Sequence, residues 1–163
     1  MDIVTGLQPQ ALTAEEGSAF WFLNNLITVK ATTESTGGSY SLCHQISPPG
    51  SATPYHLHHV EDEAFYILEG ESTFICDGRK IVAGPGEYLF LPRGIPHGIR
   101  VTGATPTTML IFATPGTGFV GMMEEMGEPA RERVLPLPSP PDLGKLARLC
   151  AKYQIDILGP LPE

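Results

Sequence analysis

The chain has 163 residues, a length that fits one domain with a sizeable hydrophobic core. It carries 18 Asp and Glu residues against 10 Lys and Arg residues, so we expect no nucleic-acid or anionic-membrane partner, because phosphate binding needs clustered cations. The 18 Gly and 16 Pro residues lie between short apolar runs, a pattern that favours an all-β fold rich in turns.

The N-terminal residues 1–17 contain neither a basic segment nor a long apolar core, so we expect no secretory signal and a cytoplasmic location. No apolar run reaches the roughly 18 residues that a membrane span requires. The three cysteines, Cys43, Cys76 and Cys150, form no C-x-x-C pair. Their odd number is typical of reduced thiols.

Short β-prone runs alternate with turn residues from residue 20 to residue 114. We predict strands over Phe20–Leu23, Leu26–Ala31, Ser39–Ile46, Glu63–Leu68, Ser72–Cys76, Lys80–Val82, Tyr88–Leu91, Gly98–Val101 and Thr107–Thr114. Asp77-Gly78 predicts a two-residue hairpin, since both residues tolerate a positive φ. So many short strands favour a closed or double-sheet barrel, with N-terminal strands at 20–31.

Residues 118–154 predict a helical tail after the barrel. Its first segment has apolar residues at helical spacing, namely Phe119, Met122, Met123 and Met126. That segment either packs against the core or forms a lid over an apolar pocket. After a proline-rich connector at 136–141, Asp142 can cap a final helix to about Tyr153. The apolar face of this helix is predicted to hold Leu143, Leu146, Ala147, Cys150 and Tyr153. No internal repeat is visible, so residues 1–163 predict a single domain.

The most informative pattern is a set of three histidines and one glutamate. His56 and His58 are two residues apart, so on a strand both imidazoles point to the same face. Glu63 lies at an odd offset from His58, so the chain has to bend between them before Glu63 can face the same way. His97 follows a rigid Pro-Arg-Gly-Ile-Pro turn. Imidazole nitrogens with one carboxylate are a ligand set for a divalent metal.

Each of these residues also has an ordinary structural interpretation. The His56–His58 pair can decorate the surface of a strand, and His97 can cap a turn. Glu63 can belong to a solvated acidic run with Glu61 and Asp62.

The chain around these residues resembles the paired motifs of the cupin superfamily. The first motif, G-x5-H-x-H-x3/4-E-x6-G, is matched in full from Gly50 to Gly70. The second, G-x5-P-x-G-x2-H-x3-N, is matched from Gly86 to His97, but Val101 stands at the position of the final Asn. We expect this departure to affect local turn bonding rather than the metal.

The resemblance covers a barrel core at about 40–114. It implies a single-domain jelly-roll barrel that binds one divalent transition metal per chain: Fe, Mn, Ni, Co or Zn. In that family the ligands would be His56, His58, Glu63 and His97. The WFLNNLITVK lead-in and the tail Ile155-DILGPLP look like those of small bacterial cupins grouped with quercetin 2,3-dioxygenase. In flavonol dioxygenases the glutamate can also take a proton from the substrate. The implied function is a metal-dependent dioxygenase, an oxidoreductase, acting on a flavonol, aromatic diol or enolisable substrate, with Glu63 as the catalytic base.

Two other functions remain open: a metal-dependent decarboxylase or isomerase of a small acid, and a metal-binding cupin without turnover. We expect a largely apolar cavity because Tyr40, Phe65, Tyr88 and Phe90 lie in the barrel segments. His44 is either a pocket residue or a satisfied core histidine, and His59 is expected at the surface. A homodimer is predicted, because the apolar run Phe20–Ala31 is more hydrophobic than a lone edge strand tolerates.

Overall fold

A computed structural model describes residues 6–163. Residues 1–5, which belong to the segment expected to lack a secretory signal, lie outside this range. The strands are β1 (Ala19–Phe22), β2 (Asn25–Ala31), β3 (Ser41–Ser47), β4 (Tyr55–His58), β5 (Asp62–Glu69), β6 (Ser72–Cys76), β7 (Arg79–Ala83), β8 (Tyr88–Leu91), β9 (His97–Val101), β10 (Thr107–Thr114), β11 (Glu128–Pro129) and β12 (Ile155–Gly159). The helices are α1 (Thr33–Thr36), α2 (Phe119–Met126) and α3 (Leu143–Lys152). None of the helices within the described range has the length and apolar character needed to cross a membrane.

The strands form two antiparallel sheets that pack face to face. One has seven strands in the order β11-β1-β2-β3-β10-β5-β8, and the other has five in the order β12-β4-β9-β6-β7. The predicted all-β jelly-roll class is confirmed. The two sheets do not close into one continuous barrel, however, because β11, β8, β12 and β7 remain edge strands.

Two hydrophobic clusters hold the sheets and helices together. Between the sheets, Phe65 of β5 meets Phe74 of β6 with ring centroids 5.2 Å apart, and both side chains are almost fully buried. The second cluster joins β1 and β2 to α2 and α3, with Ile27 and Met123 completely inaccessible to solvent. The C-terminal helices are therefore part of the packed structure and not an appendage.

The predicted strands agree with the observed ones to within two residues at each end. The predicted hairpin is also confirmed: Cys76 pairs with Arg79, and Asp77 and Gly78 have φ values of 50° and 73°. The predicted strands do not include β4, although a strand was assumed at His56 and His58. The sequence analysis missed β11 and β12. Both are short segments outside the alternating apolar pattern, and they become strands by pairing with β1 and β4.

Two predicted faces are wrong. Tyr88 and Phe90 do not line a cavity: they are 65% and 53% exposed on the outer face of β8, and Tyr40 is also exposed. In α3, Leu143 is exposed, as is Ala147, whereas Leu149 is buried with Leu146 and Cys150. In both cases an apolar residue type was taken as a sign of burial, although much of a folded surface is apolar.

The N-terminal strands do not form the exposed apolar edge that was expected. Phe20, Ile27 and Val29 are buried in the core, and β1 pairs with both β2 and β11. The apolar residues of Phe20–Ala31 are therefore needed for the core of a single chain and do not indicate a dimer interface.

The C-terminal connector is fixed to the sheet by side-chain hydrogen bonds. Asn24, at the tip of the β1–β2 hairpin, donates to the Ser139 carbonyl and accepts from the Ser139 amide, both at 3.0 Å. Trp21 donates from Nε1 to the Val134 carbonyl at 2.9 Å. Asp142 caps α3 by accepting from the Lys145 amide at 2.9 Å, as predicted.

Candidate metal centre

The four candidate ligands come from both sheets. His56 and His58 lie on β4 and His97 lies on β9, where it is the direct partner of His56. Glu63 lies on β5 in the opposite sheet and pairs with Ala113 and Leu91. The cluster therefore forms only where the two sheets pack together.

The chain crosses between the sheets over residues 59–61, which resolves the odd offset between His58 and Glu63. The amide of His59 donates to the Gln154 carbonyl at 3.0 Å. Beyond the crossing, Asp62 accepts from the Arg93 backbone amide, Nε and Nη2 at 2.8–3.0 Å. Because Arg93 belongs to the second motif, this bidentate pair ties the two motifs to each other.

The ligand atoms converge on a small space. One nitrogen or oxygen from each of His56, His58, Glu63 and His97 lies within 4.8 Å of the other three. Oε2 of Glu63 is 2.9 Å from Nε2 of His97 and 3.3 Å from Nε2 of His58. The second contact does not have hydrogen-bond geometry, so Nε2 of His58 is buried without a hydrogen-bond partner among the described residues. An unpartnered buried nitrogen is costly, and a metal at the centre of the cluster would satisfy it.

Backbone carbonyls orient two of the imidazoles. Nδ1 of His56 is 2.8 Å from the Pro54 carbonyl, and Nδ1 of His97 is 2.9 Å from the Ile95 carbonyl. A carbonyl only accepts, so both Nδ1 atoms carry the proton and both Nε2 atoms point to the cluster. This is the support that metal-binding histidines usually have.

The electrostatics of the cluster also fit a cation. Burial by itself raises the pKa of Glu63, but the charges and hydrogen bonds of His58, His97 and His56 outweigh it and lower the pKa to about 2. Burial lowers the pKa of His56 to about 4, and His97 contributes in the same direction. At neutral pH Glu63 is thus ionised and His56 neutral, the forms that ligate metals. For His97, burial opposes the charged form, yet its hydrogen bond to Glu63 raises its pKa. The contact between Glu63 and His97 therefore joins two groups that could both offer a ligand atom to a cation at this centre.

Comparison with known families agrees with these motifs. The family model described as a cupin domain matches residues 43–113, the segment that contains all four candidate ligands. The chain contains a cupin domain.

Curated relatives of this cupin have different functions. It is 27% identical over 135 residues to quercetin 2,3-dioxygenase of Bacillus subtilis (strain 168), a match that covers 83% of this chain and 40% of that enzyme. It is 38% identical over 63 residues to an oxalate-binding protein of Thermotoga maritima, covering 39% of this chain and 52% of that protein. The cupin thus spans about half the length of these relatives or less.

Solved structures support the fold. A crystal structure described as a predicted oxalate decarboxylase from Thermotoga maritima has a TM-score of 0.61 and 24% identity, over 64% of this chain and 98% of that chain. An RmlC-like cupin from Shewanella frigidimarina has a TM-score of 0.57 and 17% identity, over 68% and 96% of the two chains. At these identities the likeness concerns the fold alone.

A largely apolar pocket opens beside the four-residue cluster. Its enclosed space is about 90 Å³, and the figure rises to about 890 Å³ when the open mouth is included. His56, Glu63 and His97 line one part of it. Apolar side chains form most of the wall, including Phe22, Phe65, Ile99, Met109, Phe119 and Met122. No lysine or arginine is among the lining residues. Such a pocket favours an organic molecule with apolar faces over a phosphorylated one.

Helix α2 packs against the core, one of the two interpretations of the Met-rich segment, and it also lines part of this pocket. Val120, Met122 and Met123 are buried in the core, while Phe119 and Met122 also reach the pocket. The ring of Phe119 lies edge-on to His58 with centroids 5.6 Å apart. The first residue of the helix therefore lies directly against one of the candidate ligands.

The acidic residue Glu61 fixes the start of α2, a role that the sequence analysis missed. Its side chain is buried, and Oε1 accepts from the backbone amides of Thr117 and Gly118 at 2.9 Å and Phe119 at 3.3 Å. Gly118 at the N-cap has no side chain to do this. The run Glu61-Asp62-Glu63 is thus not a solvated acidic patch, since Glu61 binds α2, Asp62 binds Arg93 and Glu63 enters the cluster.

Removing the Glu61 carboxylate is expected to destabilise this cupin. Glu61→Ala leaves amides at the start of α2 without their acceptor, and we expect a loss of about 2–4 kcal/mol in the free energy of unfolding. Urea denaturation measures this loss. Glu124→Ala, at an exposed position on the same helix, is the matched control and should change stability by less than about 0.5 kcal/mol. Equal stability of the two variants would contradict the role of Glu61.

Other sequence expectations about the site have mixed outcomes. His44 does not line the pocket: it lies half-buried on the outer face of β3, whereas Gln45 and Ser47 face inward. His59 is at the surface, as expected, beside Asp156. Val101, at the position of the motif's Asn, is buried and places an apolar side chain in the pocket wall. Side chains alternate along β3, so an inward-facing Cys43 could have indicated that Gln45 also faces inward.

Proposed function

We propose that this cupin is a metal-dependent dioxygenase acting on a small organic molecule such as a flavonol, an aromatic diol or an enolisable compound. His56, His58, Glu63 and His97 would bind one divalent transition metal per chain, Fe, Mn, Ni, Co or Zn. The observation that supports this most strongly is the buried, unpartnered Nε2 of His58, which faces the ionised Glu63 within a convergent ligand set.

The chain's own residues would each have a defined task in this reaction. A bound metal would supply Lewis-acid and redox chemistry and a place for substrate oxygen atoms. Oε2 of Glu63 would accept the proton of the substrate hydroxyl, as a positioned general base. The Pro54 and Ile95 carbonyls would keep Nε2 of His56 and His97 directed at the centre. Phe65 and Phe119 would exclude water and hold the flat face of the substrate.

Two observations favour a dioxygenase: the character of the pocket and the large share of this chain that matches quercetin 2,3-dioxygenase. The match to quercetin 2,3-dioxygenase extends over 83% of this chain, and so includes segments beyond the two motifs. A mainly apolar pocket without a basic residue fits an aromatic substrate better than a small acid, whose second charged group would be buried without a partner.

A metal-dependent decarboxylase or isomerase of a small acid, or a cupin that binds metal without turnover, is the second candidate. The similarity to an oxalate-binding protein favours this alternative.

Oxygen uptake tests the proposal. Protein purified without chelators is analysed for metal and, after loading with each candidate metal in turn, mixed with quercetin, catechol or oxalate. We expect oxygen consumption with at least one aromatic substrate that stops when the metal is removed. Carbon dioxide release from oxalate without oxygen uptake would instead support the decarboxylase, and metal binding without any turnover would support a binding protein.

We also propose that this cupin forms a homodimer, through a different surface from the one the sequence analysis favoured. Tyr66 and Leu68 of β5 lie on the same outer face as Tyr88 and Phe90 of β8. All four are at least 38% exposed, and β8 is an edge strand. Contiguous exposed aromatic side chains next to a free edge are typical of an interaction surface.

Sedimentation equilibrium tests this dimer. The wild-type protein is expected at twice the chain mass of 17.6 kDa, and Phe90→Glu should dissociate it, because a charge would be buried in the interface. Val82→Glu, at an exposed position on β7, is the control and should remain dimeric. A wild-type monomer at micromolar concentration would contradict the proposal.

We also propose a small-molecule partner, a cytoplasmic location and a single-domain organisation for this chain. The small-molecule partner, without nucleic acid or membrane, rests on the acidic charge and the apolar pocket. The cytoplasmic location rests on residues 1–17 and the unpaired cysteines. The treatment of 1–163 as a single domain rests on the absence of an internal repeat.

A further inference from the structure

The pocket has a second polar region, far from the candidate metal centre. Gln45 and Ser47 of β3 line it together with Asn25 and Ser51. None of these side chains is charged. This part of the pocket can therefore recognise hydroxyl or carbonyl groups of a bound molecule, but it cannot neutralise a carboxylate or phosphate.

Most polar atoms in this region already bind the protein. Asn25 donates from Nδ2 to the carbonyls of Phe22 and Leu23, and its Oδ1 accepts from Ser51. Gln45 is different. The one hydrogen bond that its side chain makes among the described residues runs from Nε2 to Oγ of Ser47 at 2.9 Å. Its Oε1 has no partner in that part of the chain. If the side-chain amide of Gln45 is rotated by 180°, Oγ of Ser47 donates to Oε1, and the NH₂ group is the one without a partner.

The strand register gives the distance from Gln45 to the metal centre. Gln45 pairs with Met109 on β10, four residues before Ala113, which pairs with Glu63 on β5. Four residues along a strand and two strand spacings across the sheet place the Cα atoms of Gln45 and Glu63 on the order of 16 Å apart. A single ring is too short to bridge this distance. Two linked ring systems with oxygen substituents at both ends match it.

We propose that Gln45 is a positioning residue that binds a hydroxyl group at the end of the substrate remote from the metal. The substrate class is then an uncharged molecule of at least two linked rings, hydroxylated at both ends, with apolar faces against Phe65 and Met109. This inference rests on the proposed function, because it assumes that the other end of the substrate lies at the four-residue cluster.

Two flavonols test the role of Gln45. Quercetin and galangin have the same fused rings and the same 3-hydroxyl and 4-carbonyl oxygens, but only quercetin has hydroxyl groups on the pendant ring. The full-length protein is loaded with zinc, which has no redox chemistry, and titrated with each compound without oxygen. One neutral hydrogen bond corresponds to a preference of about five- to tenfold for quercetin.

The variant Gln45→Met has a side chain of similar size without the amide. We expect its quercetin affinity to fall about five- to tenfold, while its galangin affinity stays within about twofold of wild type and shows that the pocket is intact. His44→Ala, the neighbouring residue on the outer face of β3, is the matched control and should keep the quercetin preference.

A Gln45→Met variant that retained the preference would overturn this inference and leave the proposed function standing. Equal weakening of both flavonols would also overturn it, because Gln45 would then contribute packing and not hydroxyl recognition. If zinc-loaded wild-type protein bound neither flavonol, the flavonol reading of the proposed function and this inference would fail together.

Discussion

The double variant His56→Ala/His58→Ala is expected to bind no metal at the proposed site, whereas the wild type binds about one divalent ion per chain. Both imidazoles are lost from β4, so only Glu63 and His97 remain, too few to hold a transition metal tightly. Elemental analysis after loading and desalting measures the occupancy.

The double variant should remain folded, because the hydrophobic clusters on which the fold rests do not include either histidine. Circular dichroism and thermal unfolding check this. Added metal should raise the melting temperature of the wild type and not that of the variant, since only a protein that binds the ion is stabilised by it.

His59→Ala is the matched control for the double variant. His59 is adjacent to His58, but its side chain is half exposed and contacts Asp156, outside the cluster. We expect full metal occupancy in this variant. Full occupancy in the double variant as well would overturn the ligand assignment.

Glu63→Gln separates two roles of the carboxylate. If Glu63 is a ligand, the neutral amide of the variant should bind the metal more weakly than the carboxylate does. The variant would then need a higher metal concentration to reach saturation. As a general base, Glu63 should also be needed for turnover: we expect a loss of roughly 10²–10⁴-fold that persists when the metal is saturating. Steady-state oxygen uptake at increasing metal concentration distinguishes the two effects.

The control for this experiment is His44→Ala. Because His44 lies on the outer face of β3, away from the pocket, its removal should leave turnover per folded molecule unchanged. Near wild-type turnover of metal-saturated Glu63→Gln on a confirmed substrate would eliminate the base role. The three-histidine site would survive that result, and the decarboxylase, isomerase and binding functions would gain support.

Much of the candidate site could be predicted from local sequence. His56 and His58 share a strand face because side chains alternate, and Asp77-Gly78 forms its hairpin because both residues accept a positive φ. The bend before Glu63 followed from its odd offset. These features depend on residues close to one another in the chain, and the two motifs carried the family resemblance.

Only the tertiary structure decided how distant segments meet. Sequence alternation separates the two faces of a strand but does not say which face another sheet will cover, so Tyr88 and Phe90 were placed inside and Gln45 was overlooked. The carboxylate of Glu61 has no local partner, and its role became visible only where α2 begins beside it. Likewise, Ile155–Gly159 becomes a strand because β4 offers it a free edge next to His56. Local propensity determined the strands, turns and motifs of this cupin, whereas long-range packing determined the pocket, the covering helix and the exposed aromatic face.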